Sequence, residues 1–168
     1  MANGRKHQQV RLRTYLQTHG TVFNRFVTEG FILSNQRLEI DFDTDPPIME
    51  GEIECVCGLR ITVTKVFTVE RQKGKDPLIR TEAYSYNVSL SGIGNVFRYC
   101  SPHPDESIPH HAHHHRHRYD VWAGDESGTI DVIRDGETVP TLGEVLEEAR
   151  RWMNDNHGLL HERGLCKD

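Results

Sequence analysis

The chain has 168 residues and a formal net charge of -5, with 36% hydrophobic and 27% charged residues. That length suits one domain able to bury close to about 70% of its unfolded surface, the composition is that of an ordinary globular protein, and the acidic balance argues against nonspecific capture of nucleic acid by the whole surface. No stretch reaches the roughly 20 apolar residues of a membrane span, and Met1 to Gly20 lacks the apolar core of a signal peptide, so the expectation is a cytoplasmic protein.

The first segment, Arg5 to Arg13, is basic, with Val10, Leu12, Tyr15 and Leu16 as its apolar anchors, a pattern for a short helix or a disordered arm. After Gly20, the residues Val22, Phe23, Phe26, Val27, Phe31, Ile32 and Leu33 form an apolar patch whose spacing fits helix and strand alike. Leu38, Ile40 and Phe42 alternate with Arg37, Glu39, Asp41 and Asp43, which predicts a strand ending in the turn Asp43 to Pro47. The acids from Glu39 to Glu54 read as a solvent-facing edge that discourages strand addition.

Downstream, Glu52 to Cys57 and Leu59 to Val69 flank Gly58 and predict a hairpin, since Val, Ile, Thr and Phe recur at alternating positions. Lys73 to Pro77 is the next turn. Leu78 to Leu90 alternates again, with Tyr84, Tyr86 and Val88 on one face, and Ser91 to Asn95 turns the chain into Val96 to Tyr99. Gly92 and Gly94 do not make a phosphate loop, which needs a lysine and a following helix. Further on, Val121-Trp122 and Thr129 to Ile133 predict short strands. Thr141 and Glu144 fit a helix capping box, and Leu142, Val145, Leu146, Ala149 and Met153 form one apolar stripe of the helix that follows, which Gly158 is expected to end.

These elements predict an α+β fold: a meander of about five antiparallel strands with a C-terminal amphipathic helix packed on one face. Residues 1–50 read as an N-terminal extension, 51–157 as the main domain and 158–168 as a flexible tail or short helix. Cys55, Cys57, Cys100 and Cys166 do not make a disulfide framework in a cytosolic chain, so reduced thiols are expected. Cys55 and Cys57 would point the same way on a strand, as two small core positions before metal ligands.

Seven of the 11 histidines fall within the fifteen residues from His103 to His117. Imidazole, with a pKa of about 6.5, exchanges protons near neutral pH and ligates metals when neutral. The cluster therefore points to acid/base chemistry or metal binding, against the plainer reading of a solvated polar loop rich in Pro and acids before His110. A purification tag is a poorer explanation, because the tract is internal and interrupted by Ala112, Arg116 and Arg118. If His113 to Tyr119 is extended, His113, His115, His117 and Tyr119 share one face while His114, Arg116 and Arg118 share the other. If it is helical, His110 pairs with His114, His111 with His115 and His113 with His117. Pro109 before it, and Val121 and Trp122 after it, favour the extended form.

The run Phe97-Arg98-Tyr99, Pro102-His103-Pro104, Ile108-Pro109 and His114-His115-Arg116-His117, followed by the helix PTLGEVLEEARRW, resembles the TumE family of toxin components from bacterial toxin-antitoxin pairs. That pattern has arginine-tyrosine-aspartate, a proline-histidine step and a histidine-histidine-lysine-histidine block. The resemblance spans about Gly51 to Trp152, with the histidine block its most specific part. Here Cys100 stands where the pattern has aspartate, and Arg116 where it has lysine. Arginine keeps the charge and adds a planar fork suited to phosphate, whereas cysteine cannot replace a carboxylate as acceptor.

The resemblance implies a toxin partnered by a cognate antitoxin protein, and the residues suggest RNA as its target. RNA cleavage needs a base for the 2'-OH proton, an acid for the leaving oxygen and a cation for the phosphorane charge. His115 and His117 are the candidate base and acid, exchangeable with His103 or His114. Arg98 or Arg116 would hold the phosphate, and Tyr99 would stack on a base or share proton transfer. No cofactor is required in that reading. A rival is a metal-binding protein holding Zn or Ni by three of His110, His113, His114, His115 and His117. A third is a noncatalytic module whose histidine loop contacts a partner protein.

Overall fold

The computed structural model describes residues 9–33, 37–103, 108–133 and 139–166. In chain order the elements are β1 (Val10–Arg11), α1 (Leu12–Thr28), β2 (Arg37–Asp41), β3 (Ile48–Glu54), β4 (Leu59–Glu70), β5 (Leu78–Leu90), β6 (Gly94–Cys100), β7 (His115–Asp120), β8 (Asp125–Val132), α2 (Leu142–Asp155) and α3 (His157–Glu162). Strands β2 to β8 pair antiparallel in sequence order as one meander, and β1 joins β5 at its first two residues. The fold is α+β, with seven meander strands rather than about five.

Alternation decides which face is dry. Ile61, Val63 and Lys65 on β4 lie opposite Val88, Tyr86 and Tyr84 on β5, and all six are buried. Phe97 and Tyr99 on β6 continue that face through Val88 and Tyr86. Both long helices cover it. Thr141 caps α2 by accepting from the Glu144 amide while Glu144 accepts from the Thr141 amide, and Leu142, Val145, Leu146 and Ala149 form its buried stripe. The patch around Phe26 resolves as helix: Phe26 in α1 is fully buried, and Arg25 pairs with Glu147 and Arg150 with Glu29 to tie α1 to α2. Residues 10–50 thus supply β1, α1, β2 and part of β3 to the same sheet and core.

Three local expectations are corrected. Cys57 and Cys166 form a disulfide, so the thiols are not all reduced. Cys57 sits in the short 3-10 turn of Val56–Gly58 at φ 56, off the strand, and does not share a strand face with the buried free Cys55. The disulfide and the fully buried Leu160 in α3 anchor the tail as far as Cys166. Val121 and Trp122 lie in a turn rather than a strand, because the Asp120 carboxylate accepts the amides of Trp122 and Ala123, each at 3.1 Å. β2 forms the acidic edge, with Glu39 opposite Glu50, while Arg60 answers Glu52 at 3.1 Å and Glu54 at 3.9 Å.

Candidate metal centre

The extended form holds for the histidine block: β7 begins at His115, with Cys100 opposite His115, Tyr99 opposite Arg116 and Arg98 opposite His117. Alternation then sorts the candidate residues onto two faces. His115, His117, Arg98 and Cys100 lie on the face away from the helices. Tyr99 and Arg116 lie on the helix face, where both bind Glu148 of α2: the tyrosine donates to one carboxylate oxygen at 2.8 Å and the arginine to the other. The Arg116 guanidinium also lies over the Phe97 and Tyr99 rings, at 5.2 and 5.4 Å from their centroids. His114 points to the helix side as well, with Nδ1 at 3.0 Å from the Tyr84 hydroxyl and its ring stacked on Tyr84. Helix packing therefore engages Tyr99 and Arg116, and Tyr84 of β5 engages His114, while Arg98 is exposed beside the histidines.

On the outer face the chain folds back over β7. A 3-10 turn, Pro109–Ala112, sets His110 and His111 above His115 and His117. Ring centroids stand 4.4 Å apart for His110 and His111, 5.2 Å for His110 and His115, and 4.9 Å for His115 and His117. One nitrogen from each of His110, His111, His115 and His117 lies within 4.8 Å of all the others. Nitrogens around one tetrahedral Zn, each at about 2.0–2.1 Å from it, stand roughly 3.4 Å apart, so small side-chain rotations close the gap. A second group, Cys100, His103 and His115, meets the same proximity. His113 is exposed and belongs to neither group.

His115 is the centre of this arrangement. It is fully buried, and its Nδ1 lies 2.8 Å from the His113 carbonyl. A carbonyl only accepts, so Nδ1 carries the proton and Nε2 keeps its lone pair. That Nε2 is buried and hydrogen-bonded to nothing, as is Nε2 of His110. Backbone carbonyls fix the tautomer of metal-ligating histidines in this way.

The electrostatics favour neutral rings. Desolvation holds the His115 imidazole below its usual value despite the His113 bond, with His103, His110 and His111 adding to the effect. His117 falls to about 4, mainly by desolvation, then by the nearby charges of His115, Arg98, His110 and His111. Desolvation and then His111 lower His110. A general acid works best with a pKa near the operating pH, whereas a metal ligand must be neutral, and the lowered values favour the neutral form of these rings.

Sequence reasoning named His110, His115 and His117 as metal candidates together with His113 and His114; the geometry gathers the first three and adds His111. Its signal was available, because Pro109 starts a turn too short to separate His111 from His110. The fold and site define an α+β protein carrying a polyhistidine cluster on the open face of its sheet. No family model matches the sequence, and no curated protein or solved structure proves similar to it.

Proposed function

We propose that this chain is a transition-metal protein whose centre is the imidazole set His110, His111, His115 and His117, taking an ion of the Zn or Ni class. Imidazole suits both ions. The observation that carries the reading is His115: a fully buried ring with its Nδ1 proton committed to a carbonyl and its Nε2 without a hydrogen bond, in a group where one ring nitrogen from each of four imidazoles lies within 4.8 Å of the others. Three of these ligands on a tetrahedral ion, at a site half-open to solvent at His110, His111 and His117, leave the fourth position for water or substrate, as in catalytic zinc; all four would close it, as in structural zinc. Titration of metal-free protein with ZnCl2 by calorimetry tests it. One ion binds per chain, binding is lost in His115→Ala and His117→Ala, and it persists in His113→Ala. Equal loss in all three variants would mean that the histidine content alone attracts the metal.

A second reading, a toxin acting on RNA beside a cognate antitoxin, draws on one observation: exposed Arg98 stands opposite His117 on the open face, a cation placed for a phosphodiester. RNA cleavage abolished by EDTA and restored by Zn joins the two readings, and cleavage that survives EDTA and leaves 2',3'-cyclic phosphate ends replaces the first by metal-independent histidine chemistry. A cytoplasmic setting belongs to the toxin reading. The Cys57–Cys166 bond weighs toward an oxidising one, since cytosolic glutathione and thioredoxin keep thiols reduced.

A further inference from the structure

On the helix side of the sheet, away from the histidines, α1 and the start of α2 enclose a cavity of about 260 Å³. Val22, Phe23, Leu142 and Leu146 make it largely apolar, and exposed Thr14 and Thr18 also line it. Three polar side chains converge there. Lys65 projects from the middle of β4, 7% exposed, and its ammonium donates to the Tyr15 hydroxyl at 2.9 Å. It stands over the Tyr15 and Phe67 rings, 5.2 and 5.6 Å from their centroids. His19 stacks on Tyr15, and its Nε2 is buried without a hydrogen bond. Lys65 and Tyr15 also line an adjoining cavity of about 180 Å³ that reaches Tyr84 and Tyr86.

A buried lysine is ordinarily matched by a carboxylate, because an unpaired charge in a dry site is costly. Among the described residues no carboxylate pairs with Lys65. Phe67, Tyr15 and the helix pair instead bury it, and that burial pulls its ammonium down to about 8. At neutral pH it is still charged, so the cavity is a positive, apolar pocket with an anion's place open. Glu144 already answers the positive end of α2, so the helix terminus contributes little to that charge.

We propose that this cavity binds a small apolar monocarboxylic acid, its carboxylate on Lys65, Tyr15 and His19 and its hydrocarbon body between α1 and α2. One ammonium and two neutral donors balance a single negative charge. A phosphate dianion would bury a second charge with no arginine fork to meet it. At about 30 Å³ per water-sized volume, the cavity has room for on the order of ten non-hydrogen atoms. The site is independent of the metal centre, which occupies the opposite face.

Octanoate is the probe, with 1-octanol as its uncharged counterpart, followed by calorimetry and by thermal shift on the full chain. Octanoate binds one per chain, more tightly than octanol, and raises the melting temperature. Lys65→Met weakens octanoate at least tenfold and brings its affinity level with that of octanol. Thr18→Trp, a change at an exposed position on the lining, blocks both ligands while zinc binding at the histidines is unchanged. Failure of octanoate to bind the wild type, or equal octanoate affinity in wild type and a folded Lys65→Met, overturns the proposal. So would octanol binding as tightly as octanoate.

Discussion

Arg116 was a phosphate-binding candidate by sequence, and its position on the helix face makes a different forecast. The Arg116–Glu148 pair has both side chains 24% exposed, and Glu148 also accepts from the Tyr99 hydroxyl. Fully exposed pairs couple by about 0.2–1 kcal/mol, while breaking a buried pair costs about 3–5 kcal/mol. Three-quarters burial places this one between, so a double-mutant cycle with Arg116→Met and Glu148→Gln should give a coupling of about 1.5–3 kcal/mol. Each single change should lower the melting temperature by roughly 4–10 °C for a chain of this size. The assay is urea or thermal unfolding of the four proteins, with Arg98→Met as the exposed control, expected within about 0.5 kcal/mol of wild type. Zinc affinity should be unaltered in Arg116→Met. A coupling below about 0.5 kcal/mol, or a loss of zinc in Arg116→Met as large as in His115→Ala, would refute the assignment of Arg116 to helix packing.

Lys65→Met should stabilise the protein at neutral pH. The fall of its pKa from 10.5 to about 8, at 1.36 kcal/mol per pH unit, makes the buried charge cost about 3 kcal/mol, of which about 1 is returned by losing the Tyr15 bond. Because the folded pKa is the lower one, wild-type stability rises as pH climbs from 8 toward 10.5, so the advantage of Lys65→Met is full below pH 8 and gone above 10.5; a constant difference across that window would contradict it. Gly128→Ala should cost at least ~2 kcal/mol, since Gly128, in β8 beside the register shift between Arg118 and Asp120, sits at φ +49 with the Arg118 carbonyl where a Cβ would go; an unchanged urea midpoint would show that the bulged strand adapts. Cys166→Ser opens a loop with a sequence separation of 109 and should lower stability by about 3 kcal/mol, read by thermal unfolding with and without reductant; an unaltered melting temperature would mean that the bond adds nothing to Leu160 in holding the tail.

Much of the frame was legible because it is local. β5 runs from Leu78 to Leu90 as its alternation required, and the Thr141 capping box and the Leu142, Val145, Leu146 and Ala149 stripe fix α2. The same period-two argument separated His115 and His117 from His114 and Arg116 before any partner was known. What failed to show was long-range. Val22, Phe23, Phe26 and Val27 are β-formers at helical spacing, and only the burial of Phe26 against the sheet and α2 settles them as helix. Glu148 lies 32 residues beyond Arg116, and Cys166 lies 109 beyond Cys57, so neither partner leaves a local trace. Alternation puts Lys65 in phase with Ile61, Val63 and Phe67, but Tyr15 and the rest of α1 that enclose its ammonium lie about fifty residues away in sequence and leave no local trace.

X-ray absorption at the edge of a bound Zn ion tests the centre most directly. Three or four imidazole nitrogens are expected at about 2.0–2.1 Å with no sulfur in the shell, and a spectrum unchanged in His113→Ala. A sulfur at about 2.3 Å would move the ion to Cys100, His103 and His115, and a shell of water oxygens alone would contradict a metal site at this face.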